Sequence, residues 1–271
     1  MKRLLAIELQ KIWKNRASRI LTISYFVLLS LIALIATIKF DFGVVKIHFA
    51  EQGIFNFPFI WHFNSFVAVY GKTFLGIIIV SMISNEYSYG TLKQNLIDGM
   101  TKKEFILSKL YASILFALIS TTFVFLVSLI LGLIYSSYTE VDIIFSEMEY
   151  LLAYFVSLLC FSSICIFAGI LIKRSAFALG FIGLWLMLEI VLVHFRIGFP
   201  EVLKGFLPME AMSRLLIEPI SRLSAIKAFG KLAGVKEVKD YAVHFLTVLI
   251  ALIWTAIFIF SSYKIIQKRD L

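Results

Sequence analysis

Long apolar runs constrain this sequence more than any other feature. In the whole chain 61% of residues are hydrophobic and 16% are charged, whereas about 25% of the residues of a soluble domain are charged. Each run is close to the ~20 residues that an α-helix needs to cross the hydrocarbon core of a bilayer. The runs lie at about 20–38, 60–83, 109–135, 150–172, 176–195 and 241–263. The sequence therefore predicts an all-α integral membrane protein with about six transmembrane helices.

The distribution of lysine and arginine predicts the orientation of these helices. One set of connecting segments carries Lys2, Arg3, Lys11, Lys14, Arg16, Arg19, Lys93, Lys102, Lys103, Lys109, Lys173, Arg174, Lys264, Lys268 and Arg269. The opposite set carries Lys39 and Lys46 in its first loop, and its second loop is acidic, with Glu140, Asp142, Glu147 and Glu149. Its third loop, 196–240, carries eight basic residues. The other loops all indicate the same orientation, and we follow them. By the positive-inside rule, we expect both termini in the cytoplasm.

The same charges bear on partners and on cellular location. The net charge of +9 could indicate nucleic-acid binding, but the basic residues lie beside the apolar runs and form no stripe on a soluble face. We therefore expect contact with membrane lipid and none with nucleic acid. The sequence has no Asn-x-Ser/Thr site, which permits a bacterial origin, and we expect a multi-pass protein of a bacterial cytoplasmic membrane.

The segment before the first span predicts a separate amphipathic helix. Apolar residues recur there at helical spacing: Leu5, Leu9, Ile12 and Trp13. Lysine and arginine occupy much of the remaining helical surface. A membrane-surface anchor fits this pattern, and a docking helix for a cytoplasmic partner fits it too. We divide the chain into this interface helix, 1–19, and a six-helix transmembrane domain, 20–271.

Two loops contain signals for short helices. In the loop after span two, residues 86–97 predict a helix, Gly99 suits the left-handed position after its end, and Thr101 with Glu104 predicts a capping box. The outer loop 196–240 predicts short helices on or in the outer leaflet, since its apolar pieces are too short to cross. It contains Pro200, Pro208 and Pro219, and one helical side carries Leu207, Ala211, Leu215 and Leu216.

Lys72 and Glu189 are the ionisable residues deepest in the predicted membrane. Lys72 is ~11 residues from the cytoplasmic end of span two and Glu189 is ~13 from that of span five, so at ~1.5 Å per residue they lie at similar heights. Such residues face the bundle interior, a cavity or one another. The similar heights predict an intramembrane ion pair. Contact with a transported substrate and a misplaced helix boundary are the alternatives.

The sequence predicts no catalytic, cofactor-binding or metal site. Gly71-Lys72-Thr73 resembles the end of a phosphate-binding loop, but Phe66 stands where that motif needs glycine. Cys160 and Cys165 are five residues apart in an apolar run, which matches neither a zinc pair nor a disulfide framework. The histidines lack zinc-protease spacing. We therefore expect a protein that is not itself an enzyme.

The loop 84–110 contains a sequence of residues that resembles a known family. Its segments are Asn85-Glu86-Tyr87, Gly90-Thr91, Lys102-Lys103-Glu104-Phe105 and Ser108-Lys109-Leu110. This order resembles the first cytoplasmic loop of exporter-type ATP-binding-cassette permeases, where it forms the coupling helix between the second and third spans. The chain departs from the family at 93–99, where many relatives have an apolar segment that ends in proline.

The resemblance implies a transport function and a set of partners. A separate ATPase, which binds ATP and magnesium, would contact four residues of the loop: Glu86, Tyr87, Gly90 and Thr91. A second permease copy or a related permease would complete the transporter. We expect export of a hydrophobic or amphipathic cargo by alternating access. A membrane-embedded enzyme or a motor-free membrane scaffold is the competing interpretation of the same chain.

Overall fold

The computed structural model describes residues 2–37, 39–42, 45–48, 53–138, 140–194, 200–222 and 240–269. The helices are α1 (Lys2–Lys14), α2 (Arg16–Thr37), α3 (Phe59–Val69), α4 (Lys72–Ser88), α5 (Thr91–Ile97), α6 (Lys102–Tyr135), α7 (Val141–Ile144), α8 (Glu149–Ile172), α9 (Ser175–His194), α10 (Glu201–Lys204), α11 (Pro208–Leu215) and α12 (Phe245–Lys268). A 3₁₀ turn spans Ile220–Arg222. Two short strands, β1 (Lys39–Phe42) and β2 (Val45–His48), form an antiparallel hairpin in the first outer loop.

The all-α membrane fold is confirmed. Among the described residues, four helices are long and apolar enough to cross a bilayer: α6, α8 with the preceding α7, α9 and α12. The pair α3 and α4 passes the same test as one span with a bend of 41°. Helices α6, α8, α9 and α12 match predicted spans three to six in that order, and the pair α3 and α4 matches predicted span two. Predicted span one falls on α2, whose side chains beyond residue 31 are outside the described part, so the count of six stays a prediction.

Helix α8 lies at the centre of the bundle. It is apolar on all sides, as expected for a helix surrounded by others, and α4, α6, α9 and α12 pack around it. Small residues allow this close packing: a Cβ at Gly76 of α4 would lie 2.8 Å from Cε1 of Phe161. A Cβ at Gly169 of α8 would lie 3.3 Å from Cβ of Ile83. The helices meet through such small residues because lipid tails supply no hydrophobic force between spans.

A cluster of three hydroxyl groups joins α2 to this bundle. The hydroxyl of Tyr25 in α2 contacts that of Tyr154 in α8 at 2.9 Å and also the Oγ of Ser120. Ser120 of α6 in turn lies 2.7 Å from the Tyr154 hydroxyl. Each group in this triangle can both donate and accept, so every hydroxyl is satisfied away from water.

The second span is broken between α3 and α4. Helix α3 ends at Val69, the N–H of the following Tyr70 bonds to the carbonyl of Val67 in a tightened last turn, and α4 starts at Lys72. A Cβ at Gly71 would lie 2.8 Å from the Tyr25 ring. Glycine is therefore required at the break, because the ring of Tyr25 in α2 occupies the space that a side chain at position 71 would need.

The loop between α4 and α6 confirms two predictions and corrects a third. Gly99 has φ of +93°, and Thr101 with Glu104 forms the predicted capping box, with the Glu104 N–H 3.1 Å from the Thr101 Oγ1. The helix predicted over 86–97 is two helices instead. Gly90, at φ +67°, takes the left-handed conformation that ends α4 and starts α5, because glycine adopts that conformation without strain.

The described part of the long outer loop contains the expected short helices. Helix α11 buries Ala211, Leu215 and the following Leu216, while Leu207 is half-buried. These residues pack against α8 and α12 rather than facing solvent. The stretch 223–239 lies outside the described residues.

Candidate functional site

Helix α1 packs against α2 and α6. Its predicted apolar stripe is divided between two environments. Ile12 is buried in the core and Leu5 is half-buried, whereas Leu9 and Trp13 are exposed, Trp13 by 59%. The buried side of the helix instead contains Glu8, the one acidic residue among the first 19. The sequence signal for this contact was a single acidic residue in a basic helix. We missed it because the apolar periodicity indicated a different buried side.

Four charged side chains meet where α1, α4 and α6 come together. They form the coupling cluster: Glu8, Lys11, Glu86 and Lys109. Lys109 is 0% exposed, and its Nζ lies 2.6 Å from Glu8 Oε2 and contacts Glu86 Oε1. Lys11 Nζ completes the cluster at 2.9 Å from Glu86 and 3.4 Å from Glu8. Two ammonium groups thus balance two carboxylates, as buried charges require.

Neutral side chains complete the hydrogen bonding of this cluster. The Ser108 hydroxyl donates to Glu8 Oε1 at 3.1 Å, and the Asn95 amide of α5 donates to Glu86 Oε2 at 3.4 Å. Burial alone would raise the pKa of Glu8, but the ammonium groups of Lys109 and Lys11 outweigh it and hold that pKa below its usual value. Burial likewise would lower the pKa of Lys11, which the two carboxylates raise instead.

The four residues predicted to contact an ATPase all lie at the junction of α4 and α5, but they face different ways. Glu86 is only 3% exposed and points into the coupling cluster, because its charge is paired there. Tyr87 is half-buried, with Lys173 Nζ 5.5 Å from its ring. Gly90 and Thr91 are exposed. The structure therefore gives Glu86 partners within the chain and leaves the exposed surface of this junction to other residues.

Helix α5 presents an exposed face, of which the sequence reasoning named only Thr91. We define the α5 face by the exposed residues of α5, Thr91, Lys93, Gln94 and Ile97, together with the exposed Tyr89 at the end of α4. Tyr89 is 73% exposed and Ile97 is 72% exposed. The opposite side of α5 buries Leu92 in the core. The available sequence signal was helical spacing: Leu92 and Leu96 lie on one side of α5, and Lys93 and Ile97 lie on another.

A cavity of about 400 Å³ opens beside the coupling cluster, between α1 and the end of α4. Its polar lining includes Lys11, Lys14, Asn15, Asn85 and Tyr89. This volume is in the range of small-molecule and peptide side-chain pockets. The cavity and the α5 face form one continuous surface because Tyr89 belongs to both.

The C-terminal end of α12 is attached to the same region. The Arg269 guanidinium donates to the carbonyl oxygens of Ile170 and Leu171, the latter at 3.0 Å, and so caps the end of α8. Lys102, at the start of α6, donates to the Arg269 carbonyl at 2.9 Å. The start of α6 and the C-terminal ends of α8 and α12 are therefore held together by direct polar contacts.

The predicted ion pair between Lys72 and Glu189 is not formed. The Glu189 carboxylate instead accepts hydrogen bonds from the Trp185 indole and from the backbone N–H groups of Met209 and Glu210, at 2.9 and 3.1 Å. It therefore caps the N-terminal end of α11. Lys72 Nζ lies 5.5 Å from the centre of the Phe161 ring. Similar heights did not bring the two residues together because each points toward a different neighbour.

A second polar cluster lies at the outer end of the bundle. Arg222 binds Glu147 with both guanidinium nitrogens, at 2.7 and 2.9 Å, and donates to the Tyr150 hydroxyl at 3.2 Å. His62 stacks on Tyr150 at 4.0 Å and contacts the Ile217 carbonyl through Nε2 at 2.7 Å. The hydrogen bond to Glu147 raises the pKa of Arg222. This outer cluster holds Arg222 of the long loop against α3 and α8.

In the ranges that the structure describes, no group of three His, Cys, Asp or Glu side chains has the geometry of a metal site. Cys160 and Cys165 are both buried and unbridged.

The comparisons with known proteins identify a family. A family model described as "ABC-2 family transporter protein" matches residues 4–271, which is nearly the whole chain. No curated protein matches this chain.

Proposed function

Since this chain belongs to the ABC-2 family of transporter membrane proteins, we propose that it is the permease of an ATP-driven exporter. A separate cytoplasmic ATPase binds ATP and magnesium, and two permeases, either two copies or this chain with a relative, form the path. Both termini face the cytoplasm of a bacterial cell. The cargo is hydrophobic or amphipathic and crosses by alternating access.

One observation carries this proposal: the exposed α5 face adjoins the buried coupling cluster. Tyr89 and Ile97 are large apolar side chains on a cytoplasmic turn, where exposure to water is unfavourable. Aromatic and aliphatic residues in such positions are typical anchors of protein interfaces. We assign the α5 face as the surface that docks the ATPase. The edge of the ATPase contact then covers the adjacent cavity.

The coupling cluster then transmits motion from this surface to the spans. Asn95 of α5 bonds to Glu86, and Glu86 is paired with Lys109 of α6 and with Lys11 of α1. A force on α5 therefore acts on the second and third spans and on the interface helix together. In this proposal Glu86 positions the coupling segment and does not itself touch the ATPase, which revises the role that the family resemblance implied.

The test is recovery of the ATPase with the tagged permease. The chain is purified from native cells in a mild maltoside detergent, and vanadate-sensitive ATP hydrolysis is measured in the eluate. The double variant Tyr89→Glu/Ile97→Glu should reduce the recovered ATPase activity by a factor of roughly 30 or more, because it removes two interface anchors. Phe145→Glu, an exposed aromatic at the opposite end of the bundle, is the matched control and should lose none.

Two results would contradict the proposal. Full recovery of ATPase activity with the double variant would place the docking surface elsewhere. An activity of the isolated chain on a lipid or glycan substrate, with no ATPase recovered from native cells, would favour a membrane enzyme instead.

A further inference from the structure

Lys72 is a cation placed deep within the second span. It is the first residue of α4 and directly follows the break between α3 and α4. At 1.5 Å per residue, it lies roughly 20 Å along the helices from Phe59 and roughly 24 Å from Ser88. The reach of a lysine side chain is much shorter than either distance, so the ammonium group cannot extend to water at an interface.

The described residues provide no anion for this ammonium group. Within them, no carboxylate lies at ion-pair distance from Lys72, and its Nζ lies 5.5 Å from the centre of the Phe161 ring. Glu189 forms no ion pair with Lys72, and its carboxylate accepts from the Trp185 indole and two backbone N–H groups instead. An unpaired charge inside a membrane is costly and marks an ion or substrate contact by default.

The site is open on one side and apolar on the other. Lys72 is partly exposed, and its neighbours Tyr70 and Thr73 are exposed at the same break. The aromatic wall behind it is the Phe161 ring, which is buried. The N-terminal end of α4 adds positive potential at this point, as in other interrupted transport helices.

We propose that Lys72 binds the anionic group of an amphipathic cargo, such as a phosphate, carboxylate or sulfate ester, whose apolar part lies along the aromatic wall. This assignment rests on the proposed permease function and names the chemical class of its cargo. The ammonium group supplies the charge interaction, and a partly exposed position allows the ligand to enter from the membrane. A neutral or cationic amphipath would leave the lysine unpaired and would bind more weakly.

The experiment measures binding to the full-length chain in maltoside micelles, with dodecyl phosphate as the probe and thermal unfolding as the readout. Wild type should be stabilised as the mole fraction of dodecyl phosphate rises. Lys72→Gln should weaken the apparent affinity about tenfold or more, whereas Lys72→Arg should retain it. Lys264→Gln is the matched control, since Lys264 also lies over a phenylalanine ring, 5.4 Å from that of Phe260, but at the cytoplasmic end of α12. It should bind as wild type does.

Two further ligands identify the source of the anion. Inorganic phosphate alone should not stabilise wild type, and dodecyltrimethylammonium should not either. Equal stabilisation by inorganic phosphate through Lys72 would overturn the amphipathic part of the proposal. Equal binding of dodecyl phosphate by wild type and Lys72→Gln would overturn the site itself.

The unliganded variants provide an independent measurement. Lys72→Gln removes an unpaired charge, so it should unfold at the same temperature as wild type or higher. A clear decrease would show that the lysine already has a structural partner and would overturn the proposal. The binding assay needs no ATPase, and Lys72→Gln should still recover the ATPase from native cells. A failure of the cargo site is thereby distinguished from a failure of the permease assignment.

Discussion

Lys109 of α6 contacts Glu86 of α4 in an ion pair that is closed to solvent, directly behind the loop that joins these two helices. Glu8 of α1 holds the same ammonium group from the other side at 2.6 Å. The lysine therefore joins an interface helix and two spans at a single point. Charges at the cytoplasmic end of a span are usually read as topology signals, but this one is a buried contact.

The first prediction concerns the loss of Lys109. Lys109→Met would leave two buried carboxylates with only Lys11 to balance them, and breaking a buried ion pair costs about 3–5 kcal/mol. We expect a large decrease in the unfolding temperature of the purified chain in detergent. Lys103→Met, on the exposed side of the same helix end, is the control and should change little. Equal effects of the two substitutions would mean that the coupling cluster contributes little to stability.

The second prediction separates docking from coupling. Glu86→Gln keeps a side chain of the same shape but removes the charge that Lys109 and Lys11 share. Because the α5 face is unaltered, the variant should recover as much ATPase from native cells as wild type. Stimulation of ATP hydrolysis by cargo should decrease by about tenfold or more, since the link to the spans is weakened. Loss of the ATPase itself would show that Glu86 belongs to the docking surface.

The third prediction is a pH dependence of the contact between α1 and the spans. The folded pKa of Glu8 lies below its ordinary value of 4.5, so its contribution to stability is present above that value and is lost as the pH falls through the folded pKa. The folded pKa of Lys11 lies above 10.5, so its contribution is present below that value and is lost at higher pH. The contact should be strongest between these limits.

A nitroxide label at Lys14→Cys, on the exposed side of α1, can follow this contact by electron paramagnetic resonance. Its mobility should rise at both ends of the pH range. With Glu8→Gln added, the acid transition should disappear while the alkaline one remains. An unchanged acid transition would assign it to another carboxyl group.

The fourth prediction concerns Glu189 and the outer loop. Glu189→Leu would leave three N–H donors without an acceptor, and each buried unsatisfied group costs about 1–3 kcal/mol. Helix α11 should loosen, so trypsin added from outside should cleave faster after Arg214. Glu210→Gln, which changes the contacts of Glu210 with Ser213 and Arg214 but leaves the Glu189 carboxylate in place, is the control. Unchanged cleavage of the Glu189 variant would show that other contacts hold α11.

The fifth prediction tests the orientation of the chain. Ser88 and Phe145 are both exposed and lie at opposite ends of the bundle. In intact cells, a membrane-impermeant maleimide should label Phe145→Cys and not Ser88→Cys, because the charge distribution places the second loop outside. The native Cys160 and Cys165 are buried, and wild type should give no signal. The reverse labelling pattern would contradict the topology and the coupling surface that depends on it.

Local sequence signals predicted local structure well. Thr101 and Glu104 predicted their capping box and Gly99 its left-handed turn, because both depend on residues within a few positions. The interruption at Gly90 was missed, since glycine is also tolerated inside helices at a modest cost. The short hairpin of β1 and β2 likewise had no distinct signal between two apolar runs.

Contacts between distant segments could not be predicted from spacing. The depth of Lys72 and Glu189 follows from residue counts, but the side of the helix that each presents depends on packing and on the break at Gly71. Glu8 and Lys109 are separated by 101 positions in the sequence, and no periodicity relates them. The candidate site therefore required the three-dimensional arrangement, although the loop that contains part of it was recognisable from its residues.

The break at Gly71 also sets the scale of the movement that a partner must produce. Below it, the 17 residues of α4 form a straight arm of about 25 Å. A rotation of roughly 5° about the break would displace the cytoplasmic end of this arm by about 2 Å, whereas an unbroken span would have to tilt along its full length through the lipid. The outer half, α3, could then stay in contact with the outer loop while the inner half moves.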